Sequence, residues 1–387
     1  MPYAEGRVFH DADAHIVETP EWLQPYADPA LRPRLAPIFV QSLAPGEEAE
    51  IDTWRLRHHD PADRDAADRE VMLRKNWAAM GSFIPEHRPH ALDLLGFRSQ
   101  LMFNTFTNTP LQQAEHSGDM SLAYGMARAH NRAMVEFCAV DARLLPTGYV
   151  PLADLAQAPA MAREVIEMGC KALLVASACP PGHSPSHVAL DAVWAQAQEA
   201  GLPVVMHVGG GGQLLDPHYF ANGLPPEPDF HGGAENFRSV DFMAIPGPAM
   251  QSLATMIFDG VLERFPRLRI GVIEMGAAWL PGWMRQMDSG FDAFRRHEQR
   301  LQKLSLPPSD YVRRQIRVTP YPTDPTGWII AQAGPETLLF SSDFPHVEGG
   351  RNPLKRFESA MEGIDEAARQ RFYCDNFMDL MGAGLSD

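Results

Sequence analysis

Four candidate strands in this chain each end on a residue able to bind a metal or move a proton. The first closes as Asp11-Ala12-Asp13-Ala14-His15. Alternate side chains of a strand share a face, so Asp11, Asp13 and His15 point the same way, with a small alanine between each pair. Asp13 and His15 then form a two-ligand claw, with a hydrogen-bonded turn as the plainer alternative. In the second run His207 follows Pro203-Val204-Val205-Met206 and stands ahead of Gly209-Gly210-Gly211-Gly212, where a buried strand opens to a cleft. The third, Leu338-Leu339-Phe340-Ser341-Ser342, ends on Asp343, a carboxylate that needs a cation if it is buried. Helix capping explains Asp343 less well, because Pro345 and Gly349-Gly350 delay the next helix. The fourth, Leu268 to Ile273, ends on Glu274, for which a buried ion pair is the alternative. Asp13, His15, His207 and Asp343 together make a mixed nitrogen and oxygen shell suited to Zn, Mn or Fe(II), with positions left for water and substrate. The shell lacks cysteine, which argues against a structural zinc.

Stepping along the chain, short β-rich runs alternate with helical stretches. The candidate strands are Arg7 to Asp13, Ser99 to Phe106, Leu144 to Val150, Lys171 to Ser177, Pro203 to Val208, Leu268 to Glu274, Gln315 to Tyr321 and Thr337 to Ser342. Amphipathic segments at Ser121 to Cys138, Leu155 to Met168, Leu190 to Ala200 and Met250 to Phe265 alternate with them. Eight such units favour an α/β fold, a (β/α)8 TIM barrel over residues 1–387 as one domain. Its four ligand-bearing strand ends would then meet at one mouth. Two connections are too long to be turns: Thr19 to about Arg98 follows strand 1, and Gly209 to about Pro248 follows strand 5. Both emerge on the face where active sites lie, and the insertion over 19–98 is the candidate cap or lid.

Composition narrows the function classes. With 49 acidic against 33 basic side chains the formal charge is -16, which disfavours nucleic acid as a partner. The start lacks the basic and apolar parts of a secretory signal, and no run of 18 apolar residues suggests a membrane span, so the expected location is cytoplasmic. Cys138, Cys170, Cys179 and Cys374 show no CxxC spacing and are expected to be buried thiols.

Taken together, the Asp13-x-His15 motif, His207, the segment Phe265-Pro266-Arg267-Leu268 running into Glu274-Met275-Gly276-Ala277-Ala278-Trp279, and Phe340-Ser341-Ser342-Asp343-Phe344-Pro345-His346 resemble the amidohydrolase-related family. That family includes aminocarboxymuconate-semialdehyde and resorcylate-type decarboxylases. The resemblance runs from Asp11 to Asp375-Asn376-Phe377. It implies that Asp13, His15, His207 and Asp343 are metal ligands, that Asp343 also shuttles a proton, and that the protein is a homodimer. Two departures matter. Relatives carry His or Glu at the position of Asp13, and the well-studied decarboxylases carry a catalytic His where this chain has Glu274. The end of the fourth strand, Val175-Ala176-Ser177, offers no lysine for a carbamate bridge. A carboxylate-bridged pair using Glu274 and Glu18 stays open, so the expected cofactor is one or two divalent ions, Zn or Mn ahead of Fe.

The expected activity is that of a metal-dependent hydrolase or non-oxidative decarboxylase on a small carboxylate- or amide-bearing molecule, with Asp343 and Glu274 as acid and base. Arg55, Trp279 and His346 are the candidate substrate contacts. A non-heme di-iron oxygenase on the same fold is the alternative, and a non-catalytic metal-binding subunit is a weaker one.

Overall fold

The protein, seen here in a computed structural model, is described over residues 2–38, 47–225 and 238–385. Seven strands, β1 (His10–Ile16), β2 (Ser99–Asn104), β3 (Leu144–Tyr149), β4 (Ala172–Leu174), β5 (Val204–His207), β6 (Ile270–Ile273) and β7 (Ile316–Val318), form a sheet in chain order. Every neighbouring pair is parallel. Parallel neighbours need a crossover between them, and helices such as Met120–Cys138, Ala158–Glu167, Asp191–Ala200 and Leu280–Phe294 provide it. All residues of the seven strands are buried, as runs covered on both faces must be. The sheet, curled in this order, is that of a TIM-type α/β fold.

The expected eighth strand is not continuous. Between Thr337 and Phe344 there are only single parallel bridges, Leu338 to Val318 and Phe344 to Ala14. Backbone bonds nevertheless reach both sides: Val318 N donates to Thr337 O at 2.8 Å and Leu339 N to Val318 O at 3.1 Å. On the other flank Ala12 N donates to Phe340 O at 3.1 Å and His15 N to Phe344 O at 2.7 Å. The segment therefore lies between β7 and β1, but Asp343 at φ +54° breaks its extended course.

Other expectations shift in detail. β1 runs past Asp13 to Ile16, with a register irregularity between Asp11 and Ala14. The helix expected over Met250 to Phe265 divides into Gly247–Phe258 and Val261–Arg264, because Gly260 adopts φ +77°, a left-handed conformation that ends a helix. Cys138, Cys170 and Cys374 are buried, whereas Cys179 is exposed in the turn after β4.

The connection from β1 to β2 carries helices Glu47–Arg57, Pro61–Arg69 and Arg88–Leu95. It has a small apolar cluster of its own, Ile51, Phe83 and Ile84, packed with Trp54 and Trp77. The glycine- and proline-rich stretch expected over 209–248 falls partly outside the described residues, at 226–237. Among the described residues no helix is long and apolar enough to cross a membrane.

Candidate metal centre

The four strand ends meet. His15 is the penultimate residue of β1, His207 the last of β5, and Glu274 directly follows β6. His15 Nε2 lies 3.1 Å from Asp13 Oδ1, 3.6 Å from Asp343 Oδ1 and 3.8 Å from Glu274 Oε2. His207 Nε2 lies 3.1 Å from Glu274 Oε2 and 3.3 Å from Asp13 Oδ1. One buried group that could hold an ion is Asp13, His15, His207 and Glu274; a second, overlapping group is His15, Glu274, Asp343 and His346. Glu274 thus stands among the donor atoms, a wider role than acid and base alone.

The donor atoms fit a cation. His15 Nδ1 donates to Asn104 O at 3.0 Å and His207 Nδ1 to Val208 O at 3.0 Å, which leaves each Nε2 aimed at carboxylate oxygens. Facing lone pairs at this range need a proton or a metal ion between them. Asp13 Oδ2, His15 Nε2, Glu274 Oε2 and Asp343 Oδ1 are buried and have no hydrogen-bond partner. Glu274 and Asp343 are also held at φ +56° and +54°, a region that non-glycine residues avoid.

The electrostatics point the same way. Burial alone would raise Asp13, but the His207 and His15 imidazoles beside it hold it below the usual carboxylate range. Burial would lower His207, yet Asp13 and Glu274 push it well above the ordinary imidazole value. Burial, followed by the neighbouring Asp343 charge, drives Glu274 upward. Burial, with His346 next, lowers His15 to about 4. A proton or a dication among these donor atoms would each relieve the carboxylate repulsion, and metal binding would compete with protonation.

A second tier positions these groups. Asp11 does not join the donor atoms; its expected shared face with Asp13 is interrupted by the register irregularity in β1. Its carboxylate accepts from Ser342 N and Ser342 Oγ, each at 2.7 Å, and from Gln100 Nε2 at 2.9 Å, and so fixes the residue before Asp343. Buried Arg88 donates to Gln100 Oε1 at 3.1 Å and to His15 O at 2.9 Å, with its guanidinium 4.9 Å from the Phe344 ring. Sequence reasoning missed Arg88, since nothing in its local pattern announces a partner on β1. Glu18 is occupied elsewhere: it accepts from Thr105 N at 2.8 Å, Phe106 N at 3.1 Å and Thr107 N at 3.0 Å, pinning the turn after β2.

The amidohydrolase family model matches residues 11–377. The chain belongs to the amidohydrolase family. It is an enzyme of the metal-dependent amidohydrolase superfamily, and its donor set sits where that architecture places its chemistry, at the C-terminal ends of parallel strands.

No curated protein matches this amidohydrolase by sequence. Solved structures do match its fold. An amidohydrolase from Mycobacterium avium subsp. paratuberculosis K-10 has a TM-score of 0.75 at 22% identity, covering 98% of this chain and 100% of its own. The 5-carboxyvanillate decarboxylase of Sphingomonas paucimobilis has a TM-score of 0.62 at 18% identity, covering 97% and 99%. A dihydroxybenzoic acid decarboxylase from Polaromonas sp. JS666, solved with manganese and the inhibitor 2-nitroresorcinol, has a TM-score of 0.60 at 16% identity, covering 98% of each chain.

The remaining candidates divide. His346 lies beside the donor atoms, its ring stacked on His15 at 3.8 Å, Nδ1 3.2 Å from Asp343 Oδ1 and Nε2 2.8 Å from Thr105 Oγ1. Trp279 is half-buried ahead of helix Leu280–Phe294; its indole donates to Gly276 O at 2.8 Å and its ring lies 5.3 Å from Trp283. Arg55 stands apart, exposed on helix Glu47–Arg57, 4.0 Å from Asp52 and 5.5 Å from the Phe83 ring. Tyr321, not singled out from sequence, donates its hydroxyl to Glu274 O at 3.0 Å and packs against Gly276.

Proposed function

We propose that this amidohydrolase is a metal-dependent hydrolase or non-oxidative carboxy-lyase acting on a small carboxylate- or amide-bearing organic molecule. The observation that carries the reading is the set of buried, unpartnered donor atoms on Asp13, His15, Glu274 and Asp343, joined by His207. Asp13, His15 and His207 would hold the ion, with Glu274 and Asp343 completing its shell. When bound, a divalent ion there supplies Lewis-acid polarisation of a substrate oxygen and lowers the pKa of water toward about 7. Manganese is the first ion to test, because the shell is rich in carboxylates and a structural relative was solved with it; zinc is the second.

Asp343 is the proton shuttle of this reading. Its Oδ1 sits at the edge of the donor group, between His15 Nε2 at 3.6 Å and His346 Nδ1 at 3.2 Å. In hydrolysis it takes a proton from attacking water and returns it to the leaving group. In decarboxylation the carbon–carbon bond breaks, carbon dioxide leaves, and the proton of Asp343 goes to the carbon. His346, hydrogen-bonded to Thr105, holds Asp343 in place through either step. The connection after β1 serves as the lid that excludes water. An iron pair bridged by Glu274 and Glu18 gains no support, since three backbone amides already occupy Glu18.

The test combines element analysis with turnover of small aromatic acids, lactones and amides, with and without oxygen. About one equivalent of divalent metal is expected, with oxygen-independent release of carbon dioxide or acid. Asp343→Asn should lower turnover by about 10² to 10⁴ while retaining a folded chain. Failure to take up any divalent ion would sink the assignment, as would an Asn variant that turns over like wild type.

A further inference from the structure

The metal centre has more negative charge than one dication can neutralise. Asp13, Glu274 and Asp343 all bring carboxylates to it, against two imidazoles and one ion. A substrate anion entering this mouth meets net repulsion unless a cation of the chain faces it.

Lys75 is placed to be that cation. It comes from the connection after β1, is half-buried, and donates from Nζ to Gly350 O at 2.8 Å. The next residue, Asn76, donates its backbone N–H to Pro345 O at 3.0 Å, so this stretch is fastened to the loop that follows Asp343. That loop lies tight against the chain at Ser342 and Asp343: a Cβ on Gly349 would be 2.3 Å from Ser342 O and 3.0 Å from Asp343 Cβ. Gly350, whose carbonyl accepts from the Lys75 ammonium, is the next residue of that loop. Burial lowers the Lys75 pKa, and the Asp343 and Glu348 charges counter it. One Lys75 N–H is spent on Gly350, and the ammonium has others to offer. Two residues along the chain, half-buried Trp77 packs 5.9 Å from the ring of half-buried Phe106, next to Thr105, which bonds His346. A cation and two aromatic rings thus adjoin the segments that carry Asp343 and His346.

We infer that Lys75 is the seat of the substrate's anionic group, with Trp77 and Phe106 flanking its body. The inference rests on the metal-enzyme reading above and goes beyond it by naming the specificity residue. Arg55, exposed on its own helix, does not serve this purpose.

Benzoate and benzamide test it, since they share a shape and differ in charge. Calorimetric titration of each into manganese-loaded wild type, Lys75→Met and Lys75→Arg, with manganese content measured on every sample, separates the outcomes. The wild type should prefer benzoate. Lys75→Met should lose benzoate affinity by about tenfold or more, the loss expected of one charge-assisted hydrogen bond, with benzamide binding and manganese content unchanged. Lys75→Arg should restore most of the benzoate affinity. Undiminished benzoate binding by Lys75→Met overturns the inference, as do equal losses for both probes or a wild type that does not prefer benzoate. With manganese bound normally these results leave the metal reading standing, whereas a wild type that takes up neither manganese nor zinc overturns that reading and this one together.

Discussion

Replacing Asp11 by alanine should damage both the barrel and the metal centre, although Asp11 touches no substrate. Its two oxygens accept from Ser342 N, Ser342 Oγ and Gln100 Nε2 at 2.7, 2.7 and 2.9 Å, and from Asp13 N at 3.3 Å. Alanine strands these donors in a fully buried place and removes the negative charge near buried Arg88. Stranding donors around a buried charge typically costs about 3 to 5 kcal/mol. For a chain of this length the unfolding entropy makes that about 5 °C in Tm. Burial pushes the Asp11 carboxyl up to about 7, so the comparison belongs at pH 8, where it is charged. Asp11→Asn keeps one acceptor oxygen and should lose roughly half as much. Calorimetry reads the stability, and manganese titration reads the centre. Because Ser342 fixes the chain just before Asp343, the manganese Kd of Asp11→Ala should rise about 10- to 100-fold. A loss within about 1 kcal/mol, the ordinary range for a point mutation, would refute the hub. A large stability loss with unchanged manganese affinity would refute its positioning role.

Further outcomes follow from other buried groups. His130 is fully buried, its Nδ1 donates to Asn131 Oδ1 at 3.1 Å, and burial holds its pKa down at about 4. The unfolded chain, with an ordinary imidazole near 6.5, therefore takes up this proton first as pH falls. Stability should decline between about pH 6.5 and 4, by about 3 kcal/mol at the lower end, and not above that window. Urea unfolding of His130→Leu against wild type should show this part of the slope removed, and parallel pH curves would refute it. Gly349→Ala should push its loop off Ser342 and Asp343, costing about 1 to 3 kcal/mol as overpacking does, with weaker manganese binding. An alanine variant that binds manganese as wild type would show that the loop after Asp343 does not set its position.

How much of this was legible in the sequence follows from where each piece of information lies. β5 and β6 were readable because a buried parallel strand is a continuous apolar run, and the polar residue that ends it is local information; β1 was readable from the small alanines that alternate with its polar residues. That placed His15, His207 and Glu274 correctly at strand ends. The shared face of Asp11 and Asp13 was misread because a register irregularity in β1, invisible to a period of two, falls between Asp11 and Ala14. Thr337 to Ser342 looked like the eighth strand and bonds to both neighbours, but it is interrupted by the backbone turn at Asp343. Arg88 and Lys75 were hidden for another reason. Their partners, His15 O and Gly350 O, lie 73 and 275 residues away, so weak local periodicity over 19–98 carries no trace of them. Arg55 was chosen by charge beside Trp54, and charge without a long-range partner cannot distinguish a solvent face from a site.

The two strained carboxylates tie these levels together. A left-handed conformation costs a non-glycine residue about 1 to 2 kcal/mol, and glycine would occupy either position without that cost. The chain instead holds Glu274 at φ +56° and Asp343 at φ +54°, with Glu274 Oε2 and Asp343 Oδ1 buried and unpartnered. Packing alone would favour neither the strain nor the buried charge. Both are accounted for if the positive φ swings each carboxylate off its strand's ordinary alternation and toward His15 and His207, where a cation offsets the cost of holding them there.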